Sequence, residues 1–430
     1  MSFEWPVLTF DQLTINYDKK RKPVRGPDRK SGPYPYYGAS GIVDYVDGYI
    51  FDGDYLLIAE DGENLRTRQT PIAFMASGKF WVNNHAHIVT GNERANTRYL
   101  QYSLLAADIS GYLTGAVMPK LTQGNLNKIE LSCPPRHVQD EIVRVLGALD
   151  ARISLLRETN VTLEAIAQAM FKSWFVDFEP VRAKAEGLEP ESMDAATAAL
   201  FPNSFEESDL GPMPSGWSTC RIADVAEIVK GKSYSSKDLT DLHHTALVTL
   251  KSFERGGGFR LDGFKPYTGN YKSSQVVSSG DLIVAYTDVT QAAELIGKPA
   301  IVVGVEEYQT LVASLDVGIV RPDVTKVSRQ YLYGLFKTET FQSHTFAHTS
   351  GTTVLHLAKD GVGVYQFVCP PSEVMKAFSS LAETLSERRQ NNIDQMRTLT
   401  HLRDTLLPRL ISGQLHLSEV ENSGMLSEAS

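Results

Sequence analysis

The chain has 430 residues, 42% of them hydrophobic and 22% charged, and a net charge of −9. That length supports two or three domains with cores of their own. No run reaches the roughly eighteen uncharged apolar residues of a membrane span, and MSFEWPVLTFDQ lacks a secretory signal's basic start and apolar stretch, so no membrane association is expected. Cys133, Cys220 and Cys369 fit neither a disulfide framework nor a zinc site, which makes a reducing cytoplasm the expected compartment.

In chain order, strand-like runs bounded by Gly, Asp and Asn are predicted at 49–59, 72–75, 80–82 and 87–89, followed by a helix at 97–107. After Pro134-Pro135, the stretch from His137 to about Trp174 has no proline and a single glycine, Gly147, and predicts one long helix. Residues 177–210 hold nine acids and two bases and are rich in Pro, Glu, Ala and Ser. An acidic linker over 177–213 is therefore expected, with a short helix near 194–200. A second mixed unit follows, with strands at 246–250, 282–287, 300–303 and 311–320 and a helix at 329–337. A second long helix is predicted from Ser372 to about Leu407, and a flexible tail over 415–430 adds three acids and no Lys or Arg. With linker and tail set aside, the remaining chain carries a net +1, which leaves room for local basic patches.

The chain repeats itself. A shift of 236 residues aligns GAVMPKLTQGNLNKIELSCPP (115–135) with GTTVLHLAKDGVGVYQFVCPP (351–371), with five of 21 positions identical. Upstream, GDYLLIA (53–59) echoes GDLIVAY (280–286). So long a period implies two whole domains rather than a solenoid. The fold class expected is mixed α/β (α+β), with globular units at 1–136 and 214–371, each followed by a long helix, at 137–176 and 372–414.

Apolar residues of both helices fall on heptads, the pattern of coiled-coil packing. In an antiparallel pair, facing residues have numbers with a constant sum, and a sum of 552 orders nearly every layer. It sets Leu146 on Leu406, Ile153 on Leu399, Leu156 on Met396 and Trp174 on Phe378. It also sets Asn160 opposite Asn392, the one asparagine on each seam, where a self-satisfying pair would penalise slipped registers. Leu149 on Arg403 and Leu163 on Arg389 require the arginines to snorkel. At 1.5 Å per residue, paired helices of this length would be about 50 Å long and act as a rigid spacer.

YPYYGASGIVDYVDGYIFDGDYLLIAEDGEN (34–64), GKFWVNNHAHIV (78–89), QDEIVRVLGALDARI (139–153), AMFKSWFVDFEPVRAKAEG (169–187) and LRDTLLPRLISGQL (402–415) together resemble the specificity subunits of Type I restriction–modification systems. The second unit lacks the YGASG and WVNNHAH signatures, so a different half-site is expected there. The resemblance implies two target-recognition domains, each reading one part of a split, asymmetric sequence in double-stranded DNA. It implies helices that set the spacing and bind two modification (methyltransferase) subunits, with two restriction (translocase/nuclease) subunits as a further possible addition. No cofactor is expected in this chain. S-adenosylmethionine for adenine methylation, and ATP with Mg in the restriction form, belong on the partners. Two other classes remain open: an orphan sequence-specific DNA-binding module and a non-DNA coiled-coil scaffold.

Within that frame, the run 19–30 has seven bases and one acid, and Lys19, Lys20, Arg21, Lys22 and Arg25 suit phosphate contacts. Tyr36, Tyr37, Gly38 and Ser40 follow as candidates for backbone or base edges, although Tyr36 and Tyr37 equally suit a core. Asn83 could read adenine bidentately, and an Asn-Asn turn is more often structural. The loops 120–125 and 349–353 are read as equivalent in the repeat, and their polar residues Lys120, Gln123, Asn125, Ser350, Thr352 and Thr353 suit phosphate or base contacts. Lys230, Lys232, Lys251 and Arg255 flank Gly/Ser segments of the second unit. Catalytic signals are lacking. The chain has no GxxxxGK[ST] loop and no GxSxG elbow, and His344 and His348 come without an HExxH glutamate.

Overall fold

A computed structural model describes residues 5–290 and 292–415. The chain divides into two compact units, Met1–Arg157 with Ile393–Ser430, and Glu158–Asn392. Four helices organise them: α1 (Thr97–Ala106), α2 (Arg136–Phe175), α3 (Arg329–Phe336) and α4 (Ser372–Ile411). Of the expected tail, all but Leu415 lies outside the described residues.

In the first unit an antiparallel sheet runs Thr14–Asn16, Ala86–Gly91, Tyr55–Ala59, Ala73–Ala76. Leu56 through Ala59 are all buried, because both faces of this strand are covered. Leu56 and Ile58 pack with Leu100 and Leu104 of α1, while Leu57 and Ile88 pack with Phe80 and Val82 of a second sheet. That second sheet runs Gly41–Val46, Ser31–Gly38, Lys79–Val82, Phe51–Asp52, with Ser31–Gly38 parallel to Lys79–Val82. Asn96 caps α1 by accepting from the Arg98 and Tyr99 N–H groups. Gln139, fully buried in the first turn of α2, accepts from the Asn96 N–H and donates to the Arg94 and Pro134 carbonyls, fastening the helix to the domain.

The second unit repeats this plan. One sheet runs Ala226–Lys230, Val317–Pro322, Leu282–Ala285, Pro299–Ile301, and the other runs Lys265–Pro266, Thr245–Val248, Thr310–Ala313, Val276–Val277. Here too the two central strands of the second sheet are parallel. Tyr331 of α3 donates to the Val368 carbonyl at 2.7 Å, as Tyr99 of α1 donates to Ser132 at 2.9 Å. A Cβ on Gly334 would lie 2.3 Å from Phe171 Cδ2, so glycine lets α3 close on α2.

Several expected elements differ. The run 49–59 splits at Gly53, whose φ of +130° breaks the strand. The run 311–320 is two strands in different sheets. The hairpin 31–46 was hidden by Pro33 and Pro35, and the helix Glu339–Ala347 by its weak amphipathic pattern. The segment 177–213 is not a loose linker: it forms helices Glu179–Ala185 and Ala195–Ala199 and a hairpin of Phe205–Ser208 with Gly211–Pro214. Its Phe201 packs edge-on against Trp174, and Phe178 against Trp217, so aromatic burial orders a segment whose composition reads as polar.

Both units contain paired helices. In the first, Leu146, Ile153 and Leu156 of α2 share a core with Leu399 and Leu406 of α4, with Met396 packed against it. In the second, Trp174 meets Phe378 at a ring-centroid distance of 6.0 Å. Asn392 Nδ2 donates to Asn160 Oδ1 at 2.8 Å, but the pair is not reciprocal: Asn160 Nδ2 donates to the Arg389 carbonyl at 3.3 Å. The seam arginines are not left to snorkel. Arg403 binds Asp150 at 3.0 Å, and Asp150 also accepts from the Tyr102 hydroxyl at 2.6 Å. Arg389 pairs with Glu164, which accepts from Tyr333 at 2.8 Å and Lys337 at 2.7 Å. Burial pushes the Glu164 carboxyl up, but Arg389 and Lys337 outweigh it and hold it below the usual carboxylate range.

Candidate nucleic-acid interface

Because Ser31–Gly38 and Lys79–Val82 are parallel, their C-terminal ends emerge side by side, joined by the Asn83 N–H donating to Tyr37 O at 3.0 Å. The connections of the first sheet reach the same end. Glu60 N–H donates to His85 O, Gly62 N–H to Pro119 O, and Leu121 N–H to Glu60 O, at 2.8–3.1 Å. Trp81 Nε1 donates to Lys22 O at 2.6 Å and brings the basic segment there. Segments 17–22, 38–41, 60–63, 83–85 and 114–121 therefore form one loop-bearing end.

A buried polar cluster holds it together. His87, 1% exposed, faces Asp18 Oδ2 at 2.6 Å through Nδ1 and the Leu121 carbonyl at 2.7 Å through Nε2. Burial pulls the imidazole pKa down, but Asp18, the Leu121 carbonyl and Glu60 outweigh it and the pKa is raised. The Asp18 carboxyl is pushed up by burial but held low by His87, the Ile88 N–H and Arg21. The imidazolium form satisfies both ring nitrogens as donors. Since the His87 pKa is raised on folding, its stabilisation is full below the unfolded value near 6.5 and is lost as pH rises through the folded value. Asp18 contributes above about pH 3.9 and fades as pH falls through its lowered folded value. The thermal midpoint should therefore fall between pH 6 and 9 in the native chain and change less over that range in His87→Gln. Equal pH slopes in the two would refute the pairing.

The structure separates the candidates. Lys19, Lys20, Lys22, Arg25, Ser40, Lys120 and Gln123 are exposed at or beside this end. Lys20 Nζ lies 5.3 Å from the Tyr17 ring centroid. Arg21 is corrected: its side chain is 15% exposed and is bound to Glu60 at 2.7 Å, to Asp18, and to the Ala86 carbonyl. Tyr36 is corrected to a core residue, 0% exposed, with its hydroxyl accepting from the Val24 N–H. Tyr37 is half-buried against Phe74 and Phe80. Gly38 is buried, and a Cβ there would stand 3.0 Å from Val43 and 3.2 Å from Asn83 Nδ2. Asn83 is corrected to a turn residue, 8% exposed, accepting from the His85 N–H at 2.8 Å. Asn125 is half-buried and donates to the Tyr112 carbonyl at 2.8 Å, so its amide braces the loop.

The second unit gathers its own set. Lys230 is exposed at the end of its strand, and Lys232, half-buried, bridges to Ser314. Lys251 is exposed in the turn Leu250–Ser252 after the central parallel strand. Arg255 is exposed and reaches Glu294 at 3.2 Å. Ser350, Thr352 and Thr353 are exposed at the turn between Thr349–Ser350 and Leu355–Leu357, which pair with each other, and Leu355–Leu357 pairs in turn with Thr287–Asp288. The buried Asp288 pins the neighbouring loop by accepting from the Thr290, Leu295 and Ile296 N–H groups at 2.6–2.9 Å. Sequence reasoning missed this role and that of the Asp18–His87 pair, because both depend on partners that only the fold brings near.

The family model described as "Type I restriction modification DNA specificity domain" matches residues 4–165. A Haemophilus influenzae chain designated a type I restriction enzyme specificity subunit is 42% identical over 151 residues, covering 35% of this chain and 38% of that one. The HindI specificity subunit of the same organism is 25% identical over 85% of this chain and 84% of its own length. The fold matches that of the Type I S subunit from M. genitalium, with a TM-score of 0.56 at 12% identity over 95% of this chain and 96% of that one. Residues 4–165 thus match the DNA specificity domain of Type I restriction–modification systems, and most of the chain is similar to a Type I specificity subunit. Specificity subunits are non-catalytic components of Type I restriction–modification enzymes. No described helix is long and apolar enough to cross a membrane.

Proposed function

We propose that each α/β unit of this specificity subunit reads one half of a bipartite, asymmetric DNA target through its loop-bearing end. The observation that carries this reading is one frame built twice with unlike loops. Parallel central strands recur in both units, while the exposed side chains beyond them differ: Lys19, Lys20, Lys22 and Lys120 in one, Lys230, Lys251, Thr352 and Thr353 in the other. Exposed lysines suit phosphates, which position the protein without specifying sequence. The paired helices set the half-site spacing and dock two methyltransferase subunits. Those subunits bring S-adenosylmethionine for adenine methylation, and translocase/nuclease subunits bring ATP and Mg where restriction also occurs. This chain carries no cofactor of its own, and it works in the cytoplasm.

Long-read methylation mapping of the host genome, with and without this gene, tests the reading. The expected result is one split adenine-methylated motif that disappears on deletion. DNA binding by the assembled complex should weaken steeply with salt, as counterion release requires. Binding without any change in methylation would mark an orphan module, and salt-insensitive or absent binding would mark a scaffold. Either outcome sinks the proposal.

A further inference from the structure

Both units close their last loop with the same turn. Gly115 has φ +88° and Gly351 φ +107°. A Cβ on them would lie 2.2 Å from the Met118 carbonyl oxygen and 2.0 Å from that of Val354. Glycine is required at both places for backbone hand and for space. In the first unit Thr114 and Lys120 exchange backbone hydrogen bonds of 2.9 and 2.7 Å, so the turn is stapled at its base. The base is tied in turn to the 60–63 loop through Gly62 N–H and Pro119 O at 3.1 Å.

The residues displayed differ in chemistry. The first turn presents Ala116, Val117 and Met118, and the second presents Thr352, Thr353 and Val354. Val117 is 95% exposed and Met118 57% exposed, at an end otherwise studded with lysines. A valine held out on a rigid turn gains nothing from phosphate or solvent. On a base-pair edge, the apolar group on offer is the thymine C5 methyl in the major groove.

We propose that Val117 reads a thymine methyl, so that the half-site recognised by the first unit contains an A·T pair under this turn. The inference rests on the split-site reading above. Thr353 takes the equivalent place in the second unit and adds a hydroxyl that can hydrogen-bond.

The test uses the full chain assembled with its methyltransferase subunits and the split target defined by methylation mapping. Each thymine of the first half-site is replaced in turn by deoxyuridine, which removes only the methyl. One buried methyl is worth ~0.8 kcal/mol, so one position should lose about fourfold in affinity. In Val117→Ser, the thymine and uracil duplexes should bind alike at that position, both near the native chain's uracil value. Deoxyuridine in the second half-site should affect native and variant complexes equally, which also reports that the variant is folded. Discrimination that survives in the variant, or that is absent at every thymine in the native complex, overturns the proposal while leaving split-site recognition intact. A native complex that binds no split site overturns both.

Discussion

Replacing Glu164 with leucine should lower the stability of the chain by about 3–5 kcal/mol, the usual cost of removing one partner from a buried ionic group. The carboxylate is 17% exposed and is shared by Arg389 of α4, Lys337 beyond α3 and the Tyr333 hydroxyl. Without it, two cations that are 29% and 18% exposed lose their counter-charge in a place where water reaches them poorly. The cost comes from the cations left behind rather than from the pair's net worth. A Glu164→Leu/Arg389→Leu double variant should therefore recover part of the loss. The Glu164 pKa is held low in the folded chain, so its stabilisation is present above the unfolded value and lost as pH falls through the folded one. Urea midpoints at pH 7 for the native chain and the single and double variants would check this. A single variant within about 0.5 kcal/mol of the native chain, the range of an ordinary surface change, would show that the cluster is not a structural keystone.

Changing Lys19, Lys20 and Lys22 together to alanine should weaken DNA binding on the order of a hundredfold near 0.15 M salt, and make the salt slope shallower by up to about 2.7. The three side chains are exposed, so folding should survive. The loss should also be nearly equal for cognate and scrambled duplexes, because phosphates carry no base information. Fluorescence titrations over a salt series separate the outcomes. A loss confined to the cognate duplex would mean that these lysines read bases, and an unchanged slope would mean that they do not touch DNA. Arg21 makes the informative contrast. It sits in the same basic run, but its guanidinium binds Glu60 and Asp18, so Arg21→Ala should act through stability.

Wherever the pattern is local and periodic, sequence alone determined the answer. The two-fold repeat, the two long helices and their antiparallel register were legible because heptads and a constant residue sum need no knowledge of distant partners. The asparagines at 160 and 392 do meet, 2.8 Å apart. The basic segment was legible as charge. Only the tertiary structure decided which side chains at the loop-bearing end are free to read. Tyr36 and Asn83 look like readers in YPYYGASG and WVNNHAH, but Ser31–Gly38 and Lys79–Val82 pair in parallel and turn both residues inward. Alternation along a strand assigns a residue to one of two faces. Whether that face meets water or another layer is set by segments far away in the chain, as it is for Arg21 and for the Asp18–His87 pair. The acidic stretch 177–213 shows the same limit: its charges read as solvated linker, while its spaced aromatics find a core only when Trp174 and Trp217 are brought to them.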